Sequence, residues 1–478
     1  MPNIIEQKPK YDVLPVGQDI IFAVSNVNIV ATQLKVKFVA QVRISSGQPP
    51  LASDLVATFK TTPNNKGVGI FDFSNVVENY VNADNMAFET AKYKDELASD
   101  VPFPIHLIDK YSRNNNNVRY LAIRFKIEYL GADTDYPYVV NNASGNSVDT
   151  ADFLLFNGYL KETDALEYGG GANQNFGWDW RDDFLLDVAT QRFLTNAPFE
   201  QSANLEDYGT MAFIQPQIND IGDEITNVTL LYVDANNVLL NAETMDLTSA
   251  NGAFNTYDGK TDKQILYFGC FPANLRGDGT TMFAGLVSAG TIQGGQIQFY
   301  ATNSGSAMTQ VYKININCPD EKGFEPIRLC WLNQYGVWDY FTFNKKSTRS
   351  ISTKGSTYNQ LAGTWNGSTY RADGYKGGKK SFRVNATETI KMNSDYLSEE
   401  HSDWFEELIN SPEVYMLKAA DQPTEITSAS LSHDSLNRFA VPVRLKTTSF
   451  TKKTVANDRL IQYTFEVEKS RTLRTQSV

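Results

Sequence analysis

Three histidines, three cysteines and an acidic cluster beside two tryptophans are the side chains in this 478-residue chain whose types could make or break bonds. His106, His401 and His433 lie far apart and form no HExxH or HxH spacing, so neither a helix nor a strand brings two imidazoles to one metal. His401 falls in the first turn of an expected helix and is read as a surface residue. Cys270, Cys318 and Cys330 have no CxxC spacing and are odd in number, the usage of reduced thiols that pack as small apolar groups. Asp179, Asp182, Asp183 and Asp187 flank Trp178 and Trp180. Carboxylates beside tryptophan can hold or cleave a sugar. No second pair can be placed opposite them from the sequence, so an acidic loop pinned by its own aromatics is the expected arrangement. The glycines at 169–171 lack the GxxxxGK[ST] spacing that cradles phosphate, and no GxSxG elbow occurs. The expectation is a chain without enzyme activity, catalytic residues, cofactor or metal.

The elements that would position these groups are mostly strands. Phe (28) and Tyr (24) are abundant, and such residues suit a pleated, half-buried surface. Residues 34–44 place Leu34, Val36, Phe38, Ala40, Val42 and Ile44 on one face, a period of two that predicts a strand. Residues 20–24 are expected beside it. Phe71 and Phe73 lead into a short helix started by Ser74, and 123–129 alternate again. Further strands are expected over 153–160, 225–234, 264–271, 296–301, 441–446 and 460–468. One clear helix is expected over 398–410, with Ser398 as its cap and Trp404, Phe405, Leu408 and Ile409 as its apolar stripe.

The fold class expected is mainly β with α+β elements: tandem β-sandwich-like domains with a few short helices and long loops. The boundaries expected are an N-terminal sandwich-like domain over 1–135, an irregular loop-rich segment over 136–220, a middle β domain over 221–312, and a C-terminal α+β domain over 313–478. Residues 345–380, rich in Gly, Ser, Thr and Lys, are read as a long loop. The polar N-terminus carries no hydrophobic leader, and no apolar run is long enough for a transmembrane helix.

The densest aromatic stretch, 330–344, holds Trp331, Tyr335, Trp338, Tyr340, Phe341 and Phe343. It reads first as a core strand-turn-strand with its turn at 334–336. An intersubunit contact and a sugar-stacking platform are the alternatives. Charge is unevenly spread: the total is −12, made of −17 over residues 1–344 and +5 over 345–478. An acidic body is repelled by nucleic-acid phosphates, whereas the basic third suits an acidic partner, another copy of the chain included; ordinary scatter of surface charge is the alternative reading.

The run IRLCWLNQYGVWDYFTFN at 327–344 resembles a WLNxxGxxDYFTF-type signature of virion proteins in tailed phages of Bacteroidetes hosts, including the crAss-like podoviruses. LPVGQDIIF at 14–22, residues 193–198 with Asp207-Tyr208-Gly209, 393–415 and 458–470 are similar to the same group. The resemblance implies a structural protein of the neck or tail, made in the host bacterial cytoplasm and resident in the virion. Its implied partners are other copies of itself in a six- or twelve-fold ring, and the portal, other ring, hub or tail proteins. DNA would pass through the lumen without specific binding, and no membrane is implied. Residues 161–200 and 345–380 are the expected arms towards neighbours. The alternative is a host-surface adhesin that stacks glycan on exposed Trp178, Trp180 or Trp365; an envelope-degrading enzyme using Asp182 or Asp183 stands behind both.

Overall fold

The structure is a computed structural model and describes residues 3–9, 12–82, 86–87, 103–104, 111–113, 118–130, 139–141, 146–159, 166–168, 176–178, 184, 186, 189–215, 225–246, 264–276, 281–318, 323–418, 440–449, 451 and 461–474. The chain is mainly β, organised as β-sandwich-like sheets with a few short helices. It divides into two compact units. One holds the described residues up to Cys318 together with Leu332–Asp339, and the other holds the remaining described residues.

The first unit begins with a sandwich. Lys37–Ser45 and Val118–Tyr129 are antiparallel neighbours in a seven-stranded sheet that also holds Val13–Gly17, Leu55–Thr61 and Phe153–Tyr159. Phe38 opposes Ile127, Ala40 opposes Phe125, Val42 opposes Ile123 and Ile44 opposes Leu121, so the two alternating sequences point one apolar face the same way. That face is covered by the three-stranded sheet Ile4–Gln7, Ile21–Ser25 and Val68–Asp72. Residues 20–24 were expected to lie beside 34–44; the strand Ile21–Ser25 belongs instead to this opposing sheet and meets 34–44 through the core. Both arrangements bury the same face of a short strand, and alternation alone does not choose between them. Phe22 packs against Phe73, Phe125 and Phe153 at centroid distances of 5.7–5.8 Å. The helix expected at Ser74 is one turn, Ser74–Val77, with no side-chain cap bond.

A second set of sheets in the same unit combines a six-stranded sheet, including Asn227–Val233, Leu239–Asp246, Gln296–Asn303 and Tyr312–Ile316, with a three-stranded one. Residues 200–215 were expected to be irregular; they contain two strands of these sheets. Glu200–Ala203 runs parallel to Tyr312–Ile316, and Thr210–Gln215 runs antiparallel to Gln264–Gly269. Both are short, and their partners lie far along the chain, so no hairpin signal marks them. Phe193 sits fully buried among Phe213, Phe268, Phe299 and Tyr312, at 5.0–6.3 Å.

The second unit contains most of an eight-stranded sheet in the order Trp338–Phe343, Ile327–Leu332, Val414–Leu417, Ala440–Leu445, Ile461–Lys469, Gly378–Leu397, Thr348–Gln360, with Leu473–Arg474 pairing on Gly378–Leu397. The helix Glu400–Asn410 buries Trp404, Phe405 and Leu408 within this unit. Ser398 was expected to cap it. Glu399 occupies the cap position without a side-chain bond, and the Ser398 hydroxyl is engaged by His401 Nδ1 at 3.0 Å. Among the described residues no helix is long and apolar enough to cross a membrane.

Candidate functional site

The aromatic stretch forms the expected hairpin, Ile327–Leu332 and Trp338–Phe343, and all twelve of its strand residues are buried. Trp331, Tyr335, Trp338, Tyr340 and Phe343 are therefore core residues of the chain, not a free surface. They serve two units. In the second, Trp331 lies 5.0 Å from Trp404, Phe343 is 5.6 Å from Phe465, and Arg328 stacks 5.4 Å above Tyr340 while donating to Thr342 Oγ1. In the first, the Tyr335 ring lies 4.6 Å from Phe184 and its hydroxyl donates to Asn196 Oδ1. Asn333 organises the turn: its Oδ1 accepts from Tyr335 N and Val337 N, and its Nδ2 donates to the Leu194 carbonyl.

Among the described residues no three His, Cys, Asp or Glu side chains converge as a metal site would require. His106, His433, the acidic residues 179–187, the glycines 169–171 and half of the expected arm 161–200 lie outside the described residues, as does the side chain of Trp178. His401 was expected at the surface; it is enclosed by Phe341, Trp404 and Phe405 at 6.1–6.4 Å. Burial pushes its pKa down to about 4, since desolvation disfavours the imidazolium. The unfolded chain then binds a proton between pH 6.5 and 4 that the folded one refuses, so stability is complete above about 6.5 and falls as pH drops towards 4. Urea titrations should show the wild type losing about 3 kcal/mol more than His401→Gln across that window.

Cys270 and Cys330 are buried, Cys318 is exposed, and none of the three is in a disulfide. Burial holds the Cys330 thiol up at about 12, where it has almost no thiolate at neutral pH. A thiol-reactive chromophore should therefore titrate one cysteine in the native chain and three after denaturation. Rapid reaction of a second thiol in the folded state would contradict that burial.

Thr348–Gln360 and Gly378–Leu397 pair antiparallel from Thr348↔Lys391 to Gln360↔Gly378. Residues 345–380, read as a loop, are largely a β-ribbon. The reason for the difference is in the burial: residues 348–357 are exposed without alternation, so neither side of the ribbon needs apolar residues and no period of two is written there. From Asn385 towards the tip, past the pairing with Leu473–Arg474, the two strands pair only with each other among the described residues. This free arm is built rather than loose. Its tip is a small hairpin, Gly363–Trp365 with Tyr370–Ala372, and Asp373 N donates to the Ala362 carbonyl at 2.8 Å. Its root is tied by charge. Arg349 reaches Glu325 and, at 2.8 Å, Glu388, and Glu388 also accepts from Lys469 at 2.5 Å. The Lys469 bond, with Arg349 adding to it, holds the Glu388 carboxyl below its usual range.

No protein-family model matches this chain, and no curated protein does. The arm's own chemistry is then the basis for assigning a role. Residues 351–384 carry Lys354, Arg371, Lys376, Lys379, Lys380 and Arg383 against Asp373 alone, a net of +5. The register puts Lys354, Lys380 and Arg383 on one side of the ribbon, because they stand at or opposite positions 354, 358 and 356. Asp373 is already paired with Lys376 at 3.1 Å. Lys354, Arg371, Lys379 and Arg383 have no carboxylate partner among the described residues. Between the cations stand exposed apolar groups: Leu361, Trp365 (65% exposed), Tyr370, Tyr375 (76%) and Phe382. Trp365 and Tyr370 face each other across the tip hairpin. Sequence reasoning placed an arm here but missed its strands. The run of like charge, 6 to 1 over 34 residues, was the signal available.

Proposed function

We propose that this chain is a structural subunit of a virion, forming a ring or layer in the neck or tail of a tailed phage by associating with itself and with adjoining tail proteins around a passage for DNA. The observation that carries the proposal is the rooted, two-stranded arm, exposed on both sides and studded with cations and aromatic rings. An exposed apolar and charged patch of this kind marks a surface that is covered in use. Sandwich units joined to such an arm suit heterologous contacts, in which one patch of a subunit meets a different patch of the next; such contacts close into rings when the rotation permits. The resemblance of 327–344 to a phage virion signature supports the same reading. Native mass spectrometry of the purified chain, with electron microscopy of intact tails, is the test. A closed ring of six or twelve copies is the expected result, and only single copies within intact tails would overturn it.

Trp365 favours a second reading. A tryptophan 65% exposed, with Tyr370 opposite it, is also a platform on which a sugar can stack. Binding on a glycan array by the wild type, lost in Trp365→Ala, would move the function to recognition of the host surface.

A further inference from the structure

We infer that the arm is a self-docking element: in assemblies of this chain the ribbon of residues 355–384, with Lys354 at its base, docks on the 1–344 portion of a second copy, whose sequence is net acidic. The inference rests on the structural-subunit reading and names the partner of its principal surface.

The distribution of charge selects that partner. The arm holds +5 within residues 351–384, and the chain total is −12, which leaves −17 on the rest. Residues 1–344 carry −17 by themselves, so the remaining C-terminal residues outside the arm are balanced at zero. The net basic excess of residues 345–478 thus equals that of the arm, a segment that its own sheet leaves uncovered. Scattered surface charge would not collect in this way.

Physical form agrees with charge. The arm is already folded, so docking it forfeits little conformational entropy, and rigid aromatics such as Trp365 and Tyr370 are the side chains that anchor interfaces. Six paired residues past the root extend the ribbon by roughly 20 Å before the tip hairpin begins, enough to lie along a neighbour's sheet. Nucleic acid is the other polyanion such a ribbon would fit. The body at −17 repels both by long-range charge, and the exposed apolar Leu361 and Phe382 between the cations favour a protein surface over a phosphate backbone. Because one copy's arm meets a different patch on the next, the contact is heterologous and propagates around a ring.

Two variants of the full chain test the idea. K354E/K380E/R383E reverses the cationic side. The second replaces residues 355–384 by Asn-Gly, joining Lys354 to Asn385, which already oppose each other and accept a two-residue turn. Neither alters a buried side chain, so each should unfold with the wild-type midpoint. Sedimentation should show self-association weakened on the order of 10- to 100-fold by the triple reversal, more steeply dependent on salt in the wild type than in the variant, and abolished by the deletion. A photocrosslinker at position 365, in a mixture of isotopically light and heavy chains, should join the arm to a peptide within 1–344 of the other copy. Undiminished assembly of the deletion variant, crosslinks confined to the same chain, or duplex DNA bound by the wild type and lost in the triple variant would each overturn the inference. In the first of those cases wild-type rings would still stand, and with them the structural-subunit reading; that reading falls only if intact tails contain single copies.

Discussion

Replacing Phe405 by Ala is expected to cost the second unit about 3–5 kcal/mol, the range for emptying a phenyl site in a packed core. Phe405 is fully buried, and six other aromatic residues, besides His401, pack around it. Phe341, Tyr463, Phe465 and Trp404 lie at 5.0–5.7 Å, with Phe343 at 6.0 Å and Trp331 at 6.5 Å. These residues come from the helix and from three separate strands of the unit. Their large rigid rings cannot collapse into the void, so the cavity term adds in full to the lost transfer energy. The loss is a large part of the 5–15 kcal/mol that stabilises a typical domain. Urea unfolding followed by the fluorescence of Trp331 and Trp404 reads it directly. Phe382→Ala is the control: this phenyl is 49% exposed on the arm, and its removal should shift stability by no more than about 0.5 kcal/mol. Equal midpoints for the two variants would mean that the ring cluster does not hold the unit together.

The contrast between Phe405 and Phe382 also shows what the sequence could reveal. Alternation is legible where one side of a strand faces a core and the other faces water. Residues 34–44 and 123–129 meet that condition, and their strands appear within a few residues of the expected places. The hairpin at 327–343 was legible for another reason: two largely apolar runs, interrupted by Arg328, Asp339 and Thr342, flank Asn-Gln-Tyr-Gly, and a strand buried on both faces shows no regular polar face. The arm satisfies neither condition. With both sides in water, its residues are chosen for solubility and contact, and they read as Gly, Ser, Thr and Lys without period. His401 was misplaced for a similar reason. A histidine next to Glu400 and Asp403 looks like part of a polar helix start, yet the helix turns that position towards Phe341, a residue 60 positions away in sequence. The strands at 200–203 and 210–215 depend on partners at 312–316 and 264–269, and no local rule reports such pairings.

The single substitution with the largest expected effect is at Gly336, in the turn of the aromatic hairpin. Two constraints meet there. Its φ of +72° lies in the left-handed region, which an L side chain adopts at a cost of about 1–2 kcal/mol. In addition, a Cβ built on Gly336 would stand 1.8 Å from the backbone oxygen of Asn157, inside any allowed contact. The obstacle is main chain in the strand Phe153–Tyr159, which pairs with its neighbours on both sides and cannot swing away as a side chain would. The approach is held closed by Tyr159 N donating to the Gln334 carbonyl at 2.6 Å and by the bonds of Asn333 to the turn. Gly336→Ala must break part of this network or tilt the hairpin away, leaving buried donors and acceptors unpaired. A loss above about 4 kcal/mol is expected, seen as insoluble expression or as a collapsed urea midpoint. Gly367, in the arm tip, separates the two constraints: its φ is +85°, yet nothing lies within 4 Å of its Cβ position. Gly367→Ala therefore carries the backbone strain without the collision and should cost only about 1 kcal/mol. If the two alanine variants were equally mild, the turn would not lie against Asn157, and the hairpin tip would not be seated in the first unit.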